Sequence, residues 1–298
     1  MFVVRRLFGL GCVLACAGPV FAQQTVDAGS ITGRVLDEMQ MPIPGVSVVA
    51  THRLTNVANA TTTDEEGRYR FPYLRIGVYE IKATLPGFND AARQLSVSAG
   101  SAFDLPIALA VANITETVMI VDEAPVIDGA RSQLAATVSD AEVQSLPMNG
   151  RNFLDLALLV PGVAPANIAS TQLFPETSAV PGVTLSVGSQ RNLSNSFVVD
   201  GLSANDDAAG LSGITFAVDA IEEFQVVTSG AQAELGRALG GYINVVTKSG
   251  NNTTRGTVYE YFRDDRLNAP NALSASTLPR RQSQFGGSLG GPIRANRA

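Results

Sequence analysis

The segment Gly240-Gly241-Tyr242-Ile243-Asn244-Val245-Val246-Thr247-Lys248-Ser249-Gly250 reads as an apolar strand, Tyr242 to Thr247, set between glycine-bearing turns. Three further strand candidates precede it, Val183 to Val187, Phe197 to Val199 and Phe224 to Thr228, with loops rich in Gly, Ser and Asn between them. Upstream, Ser139-Asp140-Ala141-Glu142 carries a capping-box pattern that opens a short helix, and Pro147 stops it. A second helix is predicted from Asn152 through Phe153, Leu156 and Leu159 to the break at Pro161-Gly162. This mixture is an α+β layout, and long loops in a compact domain mark function or a broad partner surface. Downstream, the turn Gly250-Asn251-Asn252 leads into Gly256-Thr257-Val258-Tyr259-Glu260-Tyr261-Phe262-Arg263. Tyr259 and Tyr261 fall on one face with period two, as girdle aromatics do on a membrane-barrel strand.

The N-terminal third has a different rhythm. Short runs recur at Ile31 to Leu36, Val46 to His52, Ala58 to Thr63, Tyr69 to Phe71, Val78 to Leu85, Gln94 to Val97 and Phe103 to Leu109, separated by turn residues. Helical periodicity is absent, and strands spaced in this way predict a β-sandwich. Gly45, Gly67, Gly77 and Gly87 are expected to supply positive φ at the turns, and His52 to sit on the surface of a sandwich strand.

Met1 to Ala22 has the form of a secretory signal: Arg5-Arg6, an apolar run from Leu7 to Ala17, and Val20-Phe21-Ala22 as a small-residue cleavage site. The run is too short for a membrane-spanning helix. Cleavage after Ala22 removes Arg5, Arg6 and both cysteines, Cys12 and Cys16, and takes the net charge from −6 to −8 through the two lost arginines. A secreted chain without cysteine relies on ordinary cores, which fits a bacterial envelope protein. The acidic balance and the presence of only two lysines, Lys82 and Lys248, exclude a nucleic-acid footprint.

Gly33-Arg34-Val35 with Asp37, Pro44-Gly45-Val46, Thr63 and Asp64, Gly67-Arg68-Tyr69 with Phe71, Leu74 with Gly77, Tyr79, and Gly87-Phe88 resemble the carboxypeptidase regulatory-like domain. That resemblance implies a prealbumin-like sandwich of the carbohydrate-binding-like fold over residues 28 to 112. It does not imply peptidase chemistry, because a zinc peptidase of that kind needs at least two His and a Glu, and His52 is the only histidine. No phosphate loop, Cys/His cluster or Ser/His/Asp set occurs either. Neither an enzyme nor a cofactor is expected, and no catalytic or metal-binding residue.

Leu146-Pro147-Met148-Asn149-Gly150-Arg151-Asn152-Phe153 and Leu159-Val160-Pro161-Gly162-Val163 are similar to the plug domain of TonB-dependent outer-membrane receptors. The similarity continues through Val199-Asp200-Gly201, Asp219-Ala220-Ile221-Glu222-Glu223-Phe224, Ala233-Glu234, Gly236-Arg237 and the Gly240 to Gly250 segment. Sandwich and plug together resemble the Oar-like branch of that family. The organisation so implied is a signal peptide over 1 to 22, the sandwich over 28 to 112, the plug over 113 to 250, and the start of a transmembrane β-barrel over 251 to 298. The fold class is thus mainly β with α+β. Only 298 − 248 = 50 residues follow Lys248, whereas a barrel of about 22 strands needs roughly 10 residues for each. An incomplete barrel is therefore expected, from a fragment, a truncated gene product or a barrel supplied by a partner; the first two are favoured because a lone starting strand leaves unpaired edges.

A plug sits in a polar lumen, so its outside needs hydrogen-bonding cover, and Asn, Ser, Gln and Gly fill residues 186 to 213. Arg151, Arg191 and Arg237 are candidates for a plug-to-barrel polar network, with Glu222, Glu223 and Glu234 as partners inside the plug. Asp200 and Lys248 stand in the plug motifs beside them. Glu116-Thr117-Val118-Met119-Ile120 resembles a TonB box, whose free strand edge could add to the sheet of periplasmic TonB, and it reads equally as the first plug strand. The resemblance implies energised uptake through the outer membrane, with sandwich and plug base facing the periplasm and TonB as partner. Siderophore, oligosaccharide, peptide and protein substrates all fit. The rival reading, a secreted carbohydrate-binding or adhesion sandwich, accounts for residues 28 to 112 and leaves Pro147 to Gly250 without purpose.

Overall fold

The computed structural model of the chain describes residues 27–112, 134–146, 151–166, 185–206, 211–212, 216–231, 236–267, 269–270, 279 and 281–296. The first domain comprises β1 (Ala28–Leu36), β2 (Ser47–His52), β3 (Ala58–Thr62), β4 (Arg68–Arg75), β5 (Gly77–Thr84), β6 (Ala91–Val97), β7 (Ala102–Asp104) and β8 (Ile107–Ala108). One sheet runs β4-β1-β7, with β8 also on β1, and the other runs β3-β2-β5-β6. Side chains alternate along these strands, and the inward rows, among them Val48, Phe71, Ile81, Ile31 and Val35, form one core. The Tyr69 hydroxyl donates to Leu105 O at 2.6 Å, and burial, followed by the charge of Asp104, pushes its ionisation upward. Gly33 lies under this contact: a Cβ there would run into the Leu105 carbonyl and the Tyr69 ring.

Two expectations for this domain change. The run Phe103 to Leu109 divides into β7 and β8 around Pro106, which has no N–H to give a ladder. His52, expected at the surface, is buried. Its Nδ1 accepts from the N–H groups of Leu54 and Thr55, its Nε2 donates to Ile76 O at 3.2 Å, and its ring meets Tyr79 edge-on. Burial pushes the Tyr79 phenol up to about 12. Gly77, at φ 135°, packs so closely on the His52 ring that a Cβ would collide with it.

The second domain contains β9 (Leu134–Ser139), α1 (Asp140–Ser145), β10 (Val163–Pro165), β11 (Leu185–Val187), β12 (Ser196–Val199), β13 (Leu202–Ser203), β14 (Asn205–Asp206), β15 (Leu211–Ser212), β16 (Ile221–Ser229) and β17 (Tyr242–Thr247). The main sheet runs β13-β12-β17-β16-β9, parallel only between β12 and β17. Capping-box chemistry opens α1 as predicted: the Glu142 carboxylate accepts from Ser139 N–H and Oγ, and those bonds lower its pKa. The second predicted helix is a tighter 3₁₀ segment, Phe153–Leu159. Asn152 caps it by accepting Leu154 N–H, and Pro161 holds Val160 extended, which ends it. Its buried Phe153 meets Phe224 edge-on in the core with Leu156, Val226, Ile243 and Val245.

A β-bulge in β16 decides which side chains enter that core. Pairing skips from Ile221↔Thr247 to Glu223↔Val246, which reverses the alternation. Ile221 joins Phe224 and Val226 in the core, while Glu223, Gln225 and, from β17, Asn244 and Val246 point to the opposite face. Beyond this sheet, β18 (Arg255–Asp264) and β19 (Arg281–Gly290) form an antiparallel hairpin in continuous register.

Replacing Tyr69 by Phe withdraws the buried hydroxyl from Leu105 O and should cost about 1–2 kcal/mol. Urea unfolding of the purified chain measures the loss, with the exposed Tyr73→Phe as a silent reference.

Candidate functional site

The candidate residues gather at the border between the α+β domain and the hairpin, and at its border with the sandwich. Arg151 directly precedes the Asn152 cap and has φ of 53°, a left-handed conformation that aims its side chain across the domain. Its Nη2 pairs with Asp219 Oδ2 at 2.9 Å, both side chains being about one-fifth exposed. The guanidinium lies over the Tyr261 ring, 3.7 Å from its centroid, a cation–π contact to β18. Asp219 is held by a 3₁₀ turn, Val218–Ala220, anchored by buried Val218 and by the Lys248 N–H, which donates to Ala220 O at 2.8 Å.

This contact corrects the reading of the tyrosines as girdle residues. Directly paired residues share a face, so Tyr259 and Tyr261 lie with Gln282, Gln284 and Gly286 on the side toward Arg151. Val258, Phe262, Phe285 and Leu289 occupy the other face and are exposed. One face of the hairpin is thus polar and aromatic, and the other carries these apolar side chains together with Glu260.

Toward the sandwich, Asp200, Glu222 and Lys248 line one cleft of about 580 Å³ with Asp27, Arg75 and Tyr79. Asp200, at φ 47°, accepts from Thr247 N–H at 2.8 Å and Thr247 Oγ at 2.7 Å, tying the end of β12 to the end of β17. Lys248 Nζ pairs with Asp140 Oδ1 at 2.9 Å. Burial, and then the Asp140 charge, raise the carboxyl of Glu222, while Lys248 opposes the shift. Glu223 is buried and reaches the sandwich, where its Oε1 accepts Ala99 N–H at 2.7 Å.

Arg191 is exposed at the start of a 3₁₀ turn, Asn192–Ser194, and Arg237 is exposed with φ of 82°. Glu234, the segment Glu116, Thr117, Val118, Met119 and Ile120, and Ala22 lie outside the described residues. Among the described residues no group of three metal-ligating side chains occurs. Sequence reasoning missed Gln225, Ala99 and the partnership of Asp219 with Arg151. A usable signal existed for Gln225: a polar side chain inside the apolar strand Phe224 to Thr228 needs a buried partner.

These features describe a chain built of a β-sandwich, an α+β domain and a β-hairpin. Residues 30–110 match the carboxypeptidase regulatory-like domain, and residues 246–298 match an outer membrane beta barrel domain. Over 98% of its length the chain is a homologue of the TonB-dependent transporter Oar of Myxococcus xanthus, at 26% identity, and it spans 28% of the length of that relative. Among solved structures, the siderophore receptor PirA from Acinetobacter baumannii overlaps 55% of the chain and 23% of its own, at 20% identity and TM-score 0.41. The ferric enterobactin receptor PfeA from Pseudomonas aeruginosa overlaps 53% and 22%, at 16% identity and TM-score 0.40. The homologue is a transporter, not an enzyme, and with the barrel-domain match it supports an outer-membrane location.

Two measurements probe the site. Arg151→Ala removes the partner of Asp219 and keeps the left-handed backbone, and should cost about 2–3 kcal/mol in thermal unfolding. Arg151→Gly should recover about 1 kcal/mol of that loss, because glycine adopts positive φ without strain. For Glu222, a raised folded-state pKa favours the protonated form: its stabilising effect is complete below the unfolded value and is lost as pH rises through the folded one. Glu222→Gln should therefore stabilise the chain near pH 7, by under about 1 kcal/mol, with the difference closing below about pH 4.

Proposed function

We propose that this chain is the sandwich-and-plug portion of a TonB-dependent outer-membrane receptor, in which residues 113–250 gate energised uptake through a β-barrel. Residues 28–112 serve as a periplasmic accessory domain, and residues 251–298 begin the barrel. The observation that carries this reading is the Arg151 contact, since one guanidinium joins the plug carboxylate Asp219 to the lumen-side ring of Tyr261. A polar plug surface against a polar barrel interior can slide or reorganise, because its hydrogen bonds can be exchanged for water. Glu116 to Ile120 supplies the candidate strand edge for TonB, read from sequence alone.

Photo-crosslinking from position 118, in bacteria that express the chain's receptor together with TonB, tests the reading. A TonB adduct is expected from the outer-membrane fraction, and Val118→Pro, which removes a strand N–H, should abolish it. Receptor present in that fraction without any adduct would rule out TonB contact at this segment.

A further inference from the structure

The sandwich and the α+β domain are hydrogen-bonded to one another at Ala99. Ala99 lies in the turn between β6 and β7 and is fully buried. The polar groups around it are satisfied within the sandwich. Gly100 N–H donates to Ala28 O at 2.9 Å, Ser101 Oγ donates to Ser98 O at 2.6 Å, and Ser101 O accepts Ser30 N–H at 2.7 Å. Ala99 is different: its N–H donates to Glu223 Oε1 at 2.7 Å, and its carbonyl accepts from Gln225 Nε2 at 2.9 Å. Glu223 and Gln225 are two residues apart on one face of β16, so their side chains lie side by side. A carboxylate that accepts and an amide that donates reproduce the complement of a single peptide group.

We propose that Glu223 and Gln225 are a receptor for the β6–β7 turn, an interaction surface that docks the sandwich on the plug by clasping the backbone of Ala99. The bulge after Ile221 belongs to this surface, because without it Glu223 and Gln225 would share the face of Ile221, which is in the plug core. Selectivity comes from size: Ala99 has no exposed surface, so the clasp accepts a small residue and excludes a long side chain. Since the receptor side chains stand on the strand next to β17, a displacement of β16 must release the sandwich.

Hydrogen exchange on the full purified chain tests the clasp. Glu223→Ala and Gln225→Glu, the latter setting a carboxylate against the Ala99 carbonyl, should each speed exchange at residues 98–101 by at least about ten-fold. Protection in β5 should stay unchanged. Glu223→Gln retains an oxygen acceptor and should keep most of the protection. A sandwich-side variant, Ala99→Leu, guards against misfolding of the plug variants and should loosen residues 223–227 while leaving β5 protected. Wild-type exchange at residues 98–101 in both Glu223→Ala and Gln225→Glu would overturn the proposal, as would a Glu223→Gln variant as unprotected as Glu223→Ala.

Discussion

The pairing of β16 with β17 is the constraint on which the rest of this chain rests. β17 has neighbours on both edges and buried side chains on both faces, from Tyr242 to Val246. A strand so enclosed has no solvent to complete its polar groups, so each surrounding element must present either apolar surface or a matched hydrogen bond. Phe153 and Leu156 meet the first demand on one face. On the other, Glu223 and Gln225 extend the sheet toward the sandwich and meet the second.

The ends of the same strand carry the remaining candidate residues. Asp200 closes on Thr247, and Lys248 bridges back to Asp140 at the start of α1 while its own N–H holds the turn that presents Asp219. Asp219 then positions Arg151 against Tyr261. Chain order scatters these residues over more than a hundred positions, and the sheet collects them within a few side-chain lengths. Left-handed backbone at both Arg151 and Asp200 accompanies this convergence. Such conformations persist where surrounding contacts over-determine them, and here the contacts are the ion pair to Asp219 and the two bonds to Thr247.

Several elements were legible from local chemistry. The sandwich strands follow from alternation and turn glycines, and α1 from Ser139 and Glu142, because those signals act over two to four residues. β9 was not legible: Leu134-Ala135-Ala136-Thr137-Val138-Ser139 has no clear alternation, buries only Val138, and becomes a strand by adding to the free edge of β16. His52 looked exposed because an isolated histidine in a strand gives no sign of the backbone that encloses it. Its environment comes from Ile76 and Gly77, which approach from the next hairpin.

The tyrosines show the boundary between the two kinds of information most clearly. Sequence alone determined that Tyr259 and Tyr261 share a face, since alternation is a property of any extended chain. Which way that face turns depended on the position of Arg151, about a hundred residues away in the chain. In the same way the residue pattern determined a sandwich, an α+β domain and an opening hairpin, together with the resemblance that links them to TonB-dependent receptors. Only the tertiary structure decided that the sandwich rests on the plug through Ala99. The bulge that turns Glu223 outward is a matter of register between β16 and β17, and register is set by the packing of both strands together, not by either alone.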